Sequence, residues 1–496
     1  MKSWVAFVLL VVLASACAVS GADNHWNQFR GPNGDGKSAG NSLPVEFDDA
    51  KNVRWKIAIP DSGWSSPVVW KNEVWLTTGI DERKELRAIC IELETGRVKR
   101  DFKVFDMIER KVDPAYAFDS PHLNSPATPT SVVEEDRVYV SFGSQGIACL
   151  DRQTGETIWE RRDLRIYQPV RQGSSPIVDD KNLYVAFDGT DQQFFVALDK
   201  ETGDTRWKVD RNVDTGLSLT KGGKPNDNKK SFATATLIEV DGTRQLIAPA
   251  AEAIVSYAPE TGHELWRTIH PGGFNVAARP IYANGLVYVF TSGLNNLLMA
   301  VRPDGAGNVT DTHVAWSTAK STPGIPSPII VDDLLFMVTG RGGIARCIDA
   351  KTGDEIWKKR LGGDHWASPI FADGKLYFSS KQGEITVLTA TEDGPQVLAS
   401  NKLNAEFIAS PAVADDMLIL RSTTHLYCIA DGHHRSREQV AADVYPERRE
   451  TKQRTAKNSS PNQGLAALSA QLREMVKAGK LTRKDAIELY QAAADK

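Results

Sequence analysis

The stretch from Ser174 to Trp207 constrains this chain more than any other. It opens Ser174-Ser175-Pro176, runs through a short apolar segment and turns at Asp179-Asp180-Lys181-Asn182. Leu183-Tyr184-Val185 and Phe195-Val196-Ala197-Leu198-Asp199 follow, and Thr202-Gly203-Asp204-Thr205-Arg206-Trp207 closes it. Short apolar runs, each ended by Asn, Asp or Gly, predict a four-stranded antiparallel meander, because those residues adopt turn dihedrals at low cost. A single sheet of this kind cannot bury both faces, so it needs copies of itself.

The copies are present. The position of Pro176 is matched by Pro67, Ser131, Thr236, Pro280, Pro328, Pro369 and Pro411. An apolar triplet follows in most of them, as in Val74-Trp75-Leu76, Val138-Tyr139-Val140 and Leu376-Tyr377-Phe378. The Thr-Gly-x-x-x-Trp ending recurs at Thr154 to Trp159, Thr261 to Trp266 and Thr352 to Trp357, and Trp316 closes a drifted copy. Two copies lack the tryptophan and carry Arg100 with Phe102, or Leu398, instead. The last copy has no fourth strand and stops near Gly432, while an orphan fourth strand, Asn52-Val53-Arg54-Trp55-Lys56, precedes the first complete copy. The expected fold is therefore all-β: an eight-bladed propeller over 52–432, closed by the N-terminal strand so that no sheet edge is left open. Each tryptophan is expected to pack flat on the next blade and to find a partner for its indole N–H.

The repeated Ser-Pro start, the Ala-Leu-Asp third strand and Thr-Gly-x-x-x-Trp resemble the pyrroloquinoline-quinone-type β-propeller repeat. The lead-in Trp26-Asn27-Gln28-Phe29-Arg30-Gly31-Pro32-Asn33-Gly34-Asp35-Gly36 is similar to that of exported bacterial propellers of this kind. The resemblance implies one of two functions. One is a quinoprotein dehydrogenase holding pyrroloquinoline quinone and Ca²⁺ over the propeller axis. The other is a non-catalytic scaffold of the type of the outer-membrane barrel-assembly lipoprotein B. The repeat alone does not choose between them.

Cysteines bear on that choice. Cys90, Cys149, Cys347 and Cys428 occupy one repeat position, where Ala197 stands in the opening copy. They read as small buried residues on different blades, too far apart for a disulfide. The adjacent cysteine pair carried by many quinoprotein alcohol dehydrogenases is absent from the sequence. No nucleophile–base pair, phosphate loop or metal-spaced His/Cys cluster stands out either, although a quinone would carry the chemistry itself.

A ligand site, if there is one, lies where the chain enters each first strand at the centre of one face. Candidate residues there are Trp64, Arg171, Gln172, Arg279, His365 and Trp366, with Phe274, Asn275 and Phe407 nearby. Trp64 and Trp366 share one repeat position, three before the proline. Two tryptophans and two arginines are suited to a flat anionic ligand; equally, these residues would plug the funnel by packing on one another. Few carboxylates are placed to bind Ca²⁺: Asn124 and Asn275 are suited, and Asp119 and Asp364 are near only in sequence. His433-His434 reads as a solvated loop. Insertions at 103–123 and 209–231 are expected to rise on the same face, where a partner would bind.

The ends differ from the repeat. Residues 1–22 read as an export signal cleaved after Ala22, with lipid attachment at Cys17 as the rival reading. Residues 23–51 form the glycine-rich lead-in, expected to dock rather than to bind phosphate. Residues 433–463 read as a linker and 464–496 as a helical hairpin, with Leu465, Leu468, Leu472, Met475 and Val476 at helical spacing. A net charge of −4 gives no nucleic-acid footprint, and no later segment is apolar enough to span a bilayer. The resulting expectation is an exported periplasmic or envelope protein that binds an envelope protein or small ligand through its loop-bearing face.

Overall fold

The structure is a computed structural model that describes residues 25–38, 42–108, 123–211, 213, 227–320 and 322–442. The chain divides into two units, Met1–Arg437 and Glu438–Lys496. The second enters the described residues only in the short helix Arg437–Ala442, which falls where a linker was expected. The export signal and the helical hairpin at 464–496 lie outside the described residues.

The first unit is an eight-bladed propeller. Seven blades are continuous in sequence, at 68–106, 132–161, 177–210, 236–269, 281–318, 329–360 and 370–402, numbered 1 to 7 here. Blade 3 shows the pattern: Ile177–Val178, Asn182–Asp188, Gln193–Asp199 and Thr205–Asp210 pair in order as an antiparallel meander. Blade 8 is assembled from both ends of the unit. Ala412–Ala414, Met417–Arg421 and His425–His434 take Lys51–Ala58 as their outer strand, with Trp55 opposite Cys428 and Ile57 opposite Leu426. The expected closing strand is thus confirmed, slightly longer at each end. The last strand also runs past Gly432, so that His434 pairs with Lys51 instead of lying in a loop.

Around the axis the blades are joined by side-chain hydroxyls. Ser66, Thr130, Ser175, Thr234, Ser327, Ser368 and Ser410 stand at the residue before the proline position. Each accepts the backbone N–H of the equivalent residue one blade back, at 2.8 to 3.1 Å. The last bond, from Ser410 N to Ser66 Oγ, crosses the closure. Blade 5 carries Arg279 at this position and supplies no hydroxyl, so the ring has seven latches and one gap. Blade 4 corrects the repeat alignment: Thr236 pairs with Ile247 as Ile177 pairs with Tyr184, so Ala235, not Thr236, matches Pro176.

Between blades the core is divided into apolar layers. Trp75, Leu86, Ala88 and Cys90 of blade 1 meet Val138, Val140, Ala148 and Leu150 of blade 2 in one of them. The outer-strand tryptophans act as expected. Trp159, Trp207, Trp316 and Trp357 donate Nε1–H to carbonyls of the next blade, at Lys200, Pro259, Ala350 and Thr391, over 2.8 to 3.1 Å. Trp55 does the same across the closure, to Leu93 O at 2.7 Å. The facing glycine is required: Gly203 has φ +77, and a Cβ there would sit 2.7 Å from Trp159. Trp266 departs from the pattern and donates to Gln245 of its own blade. Opposite each tryptophan the third strand carries a small residue, as Cys149 faces Trp159 and Ala197 faces Trp207. All four described cysteines are buried and free, and burial pushes their thiols up to about 12.

Blade 1 lacks the tryptophan and substitutes charge. Arg100 takes its place opposite Cys90 and, with Lys99, binds Glu73 Oε1 at 2.9 and 2.7 Å. Arg152 of blade 2 reaches Glu73 Oε2 at 2.5 Å. Burial alone would raise this carboxyl, but the three cations outweigh it and hold it at about 2. Phe102 fills the place over Gly155 that tryptophan fills elsewhere.

The lead-in docks as expected. It bridges to Val69 of blade 1 and Phe371 of blade 7, on the side where the first strands end. Its Arg30 is buried and donates to Pro328 O, Asp35 O and Pro369 O. The fourth strands of blades 1 and 3 extend to Asp106 and Asp210, so the insertions begin later than expected; 109–122 and 214–226 lie outside the described residues.

Two outcomes follow. Deleting Lys51–Ala58 removes the outer strand of blade 8 and opens the ring; the urea midpoint is expected to fall steeply, and an unchanged midpoint would refute closure. Glu73→Gln leaves three cations facing a neutral amide and is expected to cost about 3 kcal/mol at pH 7. Because the folded carboxyl titrates below its ordinary 4.5, wild type loses this contribution as pH falls from about 4.5 toward 2. The gap between the two proteins in urea unfolding should therefore narrow over that interval.

Candidate functional site

The segments leading into the first strands meet at the centre of the face opposite the lead-in. Arg421, at the end of an apolar strand of blade 8, organises one of them. It is fully buried and donates to Ser65 O at 2.8 Å and to Thr77 O at 2.9 Å. It lies so close that a Cβ on Gly63 would be 2.2 Å from its guanidinium. Burial pulls the guanidinium down to about 9. Trp64 is fixed next to it, its N–H 3.0 Å from both Ala127 O and Ser125 Oγ. Sequence reasoning missed Arg421, whose one signal is a charge ending the apolar run Met417-Leu418-Ile419-Leu420.

Trp64 and Trp366 do come together, with ring centroids 6.0 Å apart and planes at 81°. They meet edge to face, an arrangement favoured by the ring quadrupoles, and leave no parallel slot between them. Lys381 sits 4.2 Å over the Trp366 ring and 3.4 Å from Glu406. Below the pair lies an axial cavity of about 740 Å³ that reaches Phe29 of the lead-in. Its wall includes Ser66, Thr130, Ser175, Thr234, Ser368 and Ser410 from the hydroxyl ring, and the exposed side chains of Leu123 and Ile325 at its margin.

The other candidates are elsewhere. Arg279 is buried on the lead-in side, donating to Phe29 O at 2.5 Å and Thr236 Oγ1 at 3.2 Å. Burial lowers its guanidinium to about 10, and a Cβ on Gly34 would clash with it at 2.2 Å. Arg171 and Gln172 line a separate cavity of about 600 Å³ with Met107, Phe142 and Tyr167. Arg171 has φ +63, a left-handed backbone that is rare for this residue. Gln172 is buried and donates to Ala186 O at 2.9 Å. His365 is buried between Ser379 O and Gly362 O, at 3.1 and 3.0 Å, and burial lowers its pKa. Phe274 and Phe407 are buried in packing, whereas Asn275 lines the axial cavity. Asp364 accepts Gly342 N–H at 3.0 Å; Asp119 lies outside the described residues.

The described wall suits a quinone with Ca²⁺ poorly. It offers the amide oxygens of Asn124 and Asn275 but no carboxylate, the usual charged ligand of Ca²⁺. Neither candidate arginine reaches the space beside the tryptophans. Among the described residues no three His, Cys, Asp or Glu side chains converge to hold a metal.

The geometry predicts that Arg279→Met frees the lead-in. The amides of Gly31, Gly34 and Gly36, now bonded within that loop, should exchange about tenfold faster or more, given roughly 1.5–3 kcal/mol per charged hydrogen bond, while those of blade 3 keep their protection. Equal protection in the variant would show that Arg279 does not hold the plug.

Comparison with known proteins agrees with the fold. The chain is 21% identical over 237 residues to the Yersinia pestis protein named outer membrane protein assembly factor BamB, a match covering 45% of this chain and 53% of that one. It is 24% identical over 265 residues to 1-butanol dehydrogenase (quinone) of Thauera butanivorans, covering 51% of this chain and 38% of that one. The chain thus spans about half or less of these relatives' lengths. The crystal structure of BamB from Moraxella catarrhalis superposes with a TM-score of 0.54 at 11% identity, over 77% of this chain and 98% of that one. The family model described as outer membrane protein assembly factor BamB matches residues 117–226 and 192–435. With more than half of its length matched, and with eight blades of the quinoprotein type, the chain belongs to this PQQ-like propeller family.

Proposed function

We propose that this protein is a non-catalytic binding propeller of the bacterial cell envelope, serving outer-membrane protein assembly by engaging a protein partner through its open face. The observation that carries this reading is the asymmetry of the axis. One end is closed by the lead-in on Arg30 and Arg279. The other exposes Leu123 and Ile325 around Trp64 and Trp366, and apolar groups at the centre of a polar rim are the usual anchors of a protein interface. Family membership and the relatives named assembly factors support the same reading. Export, with cleavage after Ala22 or, as the alternative, a lipid at Cys17, is part of this proposal, since residues 1–24 lie outside the described ones; no helix among the described residues is long and apolar enough to cross a membrane.

The second reading, a quinone-dependent oxidoreductase, is favoured by the similarity to the butanol dehydrogenase. It places pyrroloquinoline quinone over the axis between Trp64 and Trp366, with Arg171 or Arg279 on its carboxylates and Gln172 and His365 as further candidates. In this geometry Arg279 reaches such a ligand only if the lead-in lets go.

The two readings separate in one pair of measurements. A photo-crosslinker at Leu123 or Ile325 is expected to capture an envelope protein in cells, while one at the outer-strand residue Val397 captures none. Purified protein is expected to show no saturable absorbance change with pyrroloquinoline quinone and Ca²⁺. Saturable quinone binding, with no face-specific cross-link, would replace the first reading by the second.

A further inference from the structure

We infer that the axial cavity is a binding site for a small polyoxyanion, a polycarboxylate by preference, seated on the hydroxyl ring. The inference rests on how the latches use their atoms. A hydroxyl has one proton to donate and lone pairs to accept with. In Ser66, Thr130, Ser175, Thr234, Ser368 and Ser410 the oxygen accepts a backbone N–H from the preceding blade. Among the described residues none of these six O–H groups donates to a protein acceptor, and all six line the cavity. Latching the blades therefore leaves a ring of O–H donors around the space on the axis.

The charge of the wall has the same sense. Arg341 lines it, Lys230 lines it with a partner of its own, and no Asp or Glu is among the described lining residues. Donors with cations and without carboxylates favour an anion with several acceptor oxygens. A cavity of about 740 Å³ is of small-molecule size. A ligand with several separated oxygens can engage more than one blade at once, which a compact monoanion cannot. Trp64, Trp366 and Phe29 supply the apolar surface for its carbon frame. Arg171 and Arg279, the cations that the sequence offered for an anion, take no part. The site holds whether or not a protein partner or a quinone binds above it.

Citrate is the probe, with acetate at matched ionic strength as control, because screening alone would affect both alike. The readout is the intrinsic fluorescence of the full chain, to which Trp64 and Trp366 contribute, checked by calorimetry. Citrate is expected to saturate in the micromolar to low millimolar range, and acetate not to saturate. Arg341→Gln leaves every latch intact and should weaken citrate about fivefold or more. Ser175→Ala removes one donor and should weaken it too, with thermal unfolding showing that the variant is folded. No saturation by about 10 mM citrate, beyond the range of even weak specific binding, would overturn the inference. So would citrate affinities unchanged in both variants. Failure here leaves the cross-linking result untouched, since citrate contacts the channel and the partner contacts the rim.

Discussion

The structure depends on one pairing, that of Lys51–Ala58 with His425–His434. It joins residues almost four hundred apart in the chain, as the 379-residue separation of the Asn52–Asp431 hydrogen bond records. Without it blade 8 has three strands and blade 1 meets an open edge. With it the hydroxyl of Ser66 can accept the amide of Ser410, and the indole of Trp55 can reach Leu93. One inner latch and one outer staple thus form only when the chain ends meet, although the latch ring keeps its gap at Arg279. The long-range closure costs loop entropy once, and eight interfaces share the return.

At the outer edge the same repeat position is answered by different chemistry. A flat indole with one N–H donor suits a neighbour that presents a free carbonyl, and five blades use it, four of them against a glycine. Blade 1 has arginine there and joins its neighbour through Glu73, Lys99, Arg100 and Arg152. The tryptophan staple does not depend on charge; the ion cluster does, which makes blade 1 an electrostatically sensitive joint. The small residues opposite the indoles account for three of the cysteines by packing: Cys149, Cys347 and Cys428 are buried and free opposite Trp159, Trp357 and Trp55.

At the axis the replacement of one hydroxyl by Arg279 breaks the ring of latches but anchors the lead-in. Closing one end with backbone carbonyls on two buried guanidiniums gives the propeller two unlike faces. On the proposed reading, binding falls to the face where Trp64 and Trp366 stand, and the cavity behind them reaches from that pair to Phe29. A chain similar both to a protein named an assembly factor and to one named a quinone dehydrogenase has here a channel whose wall lacks carboxylates among its described residues.

Much of this was legible before folding. The blade count, the turn positions, the closing strand and the stapling tryptophans follow from short-range patterns: apolar runs of fixed length, Thr-Gly turns, one orphan strand at the N-terminal end and a last copy one strand short. The pairing of Trp64 with Trp366 could be read too, because both stand three residues before the proline. What the residues did not carry was direction across the ring. Ala235 rather than Thr236 begins blade 4 because strand register, not local composition, sets the alignment. Arg279 stands in the same lead-in position as Ser66 and Ser410, yet its guanidinium extends to Phe29, 250 residues away in sequence. Arg171 shares that neighbourhood but opens into another cavity, and Arg421 acts from the far end of the chain. Local sequence determines strand and turn because those energies are settled within a few residues; which way a long side chain points at the axis is decided only when all eight blades have closed around it.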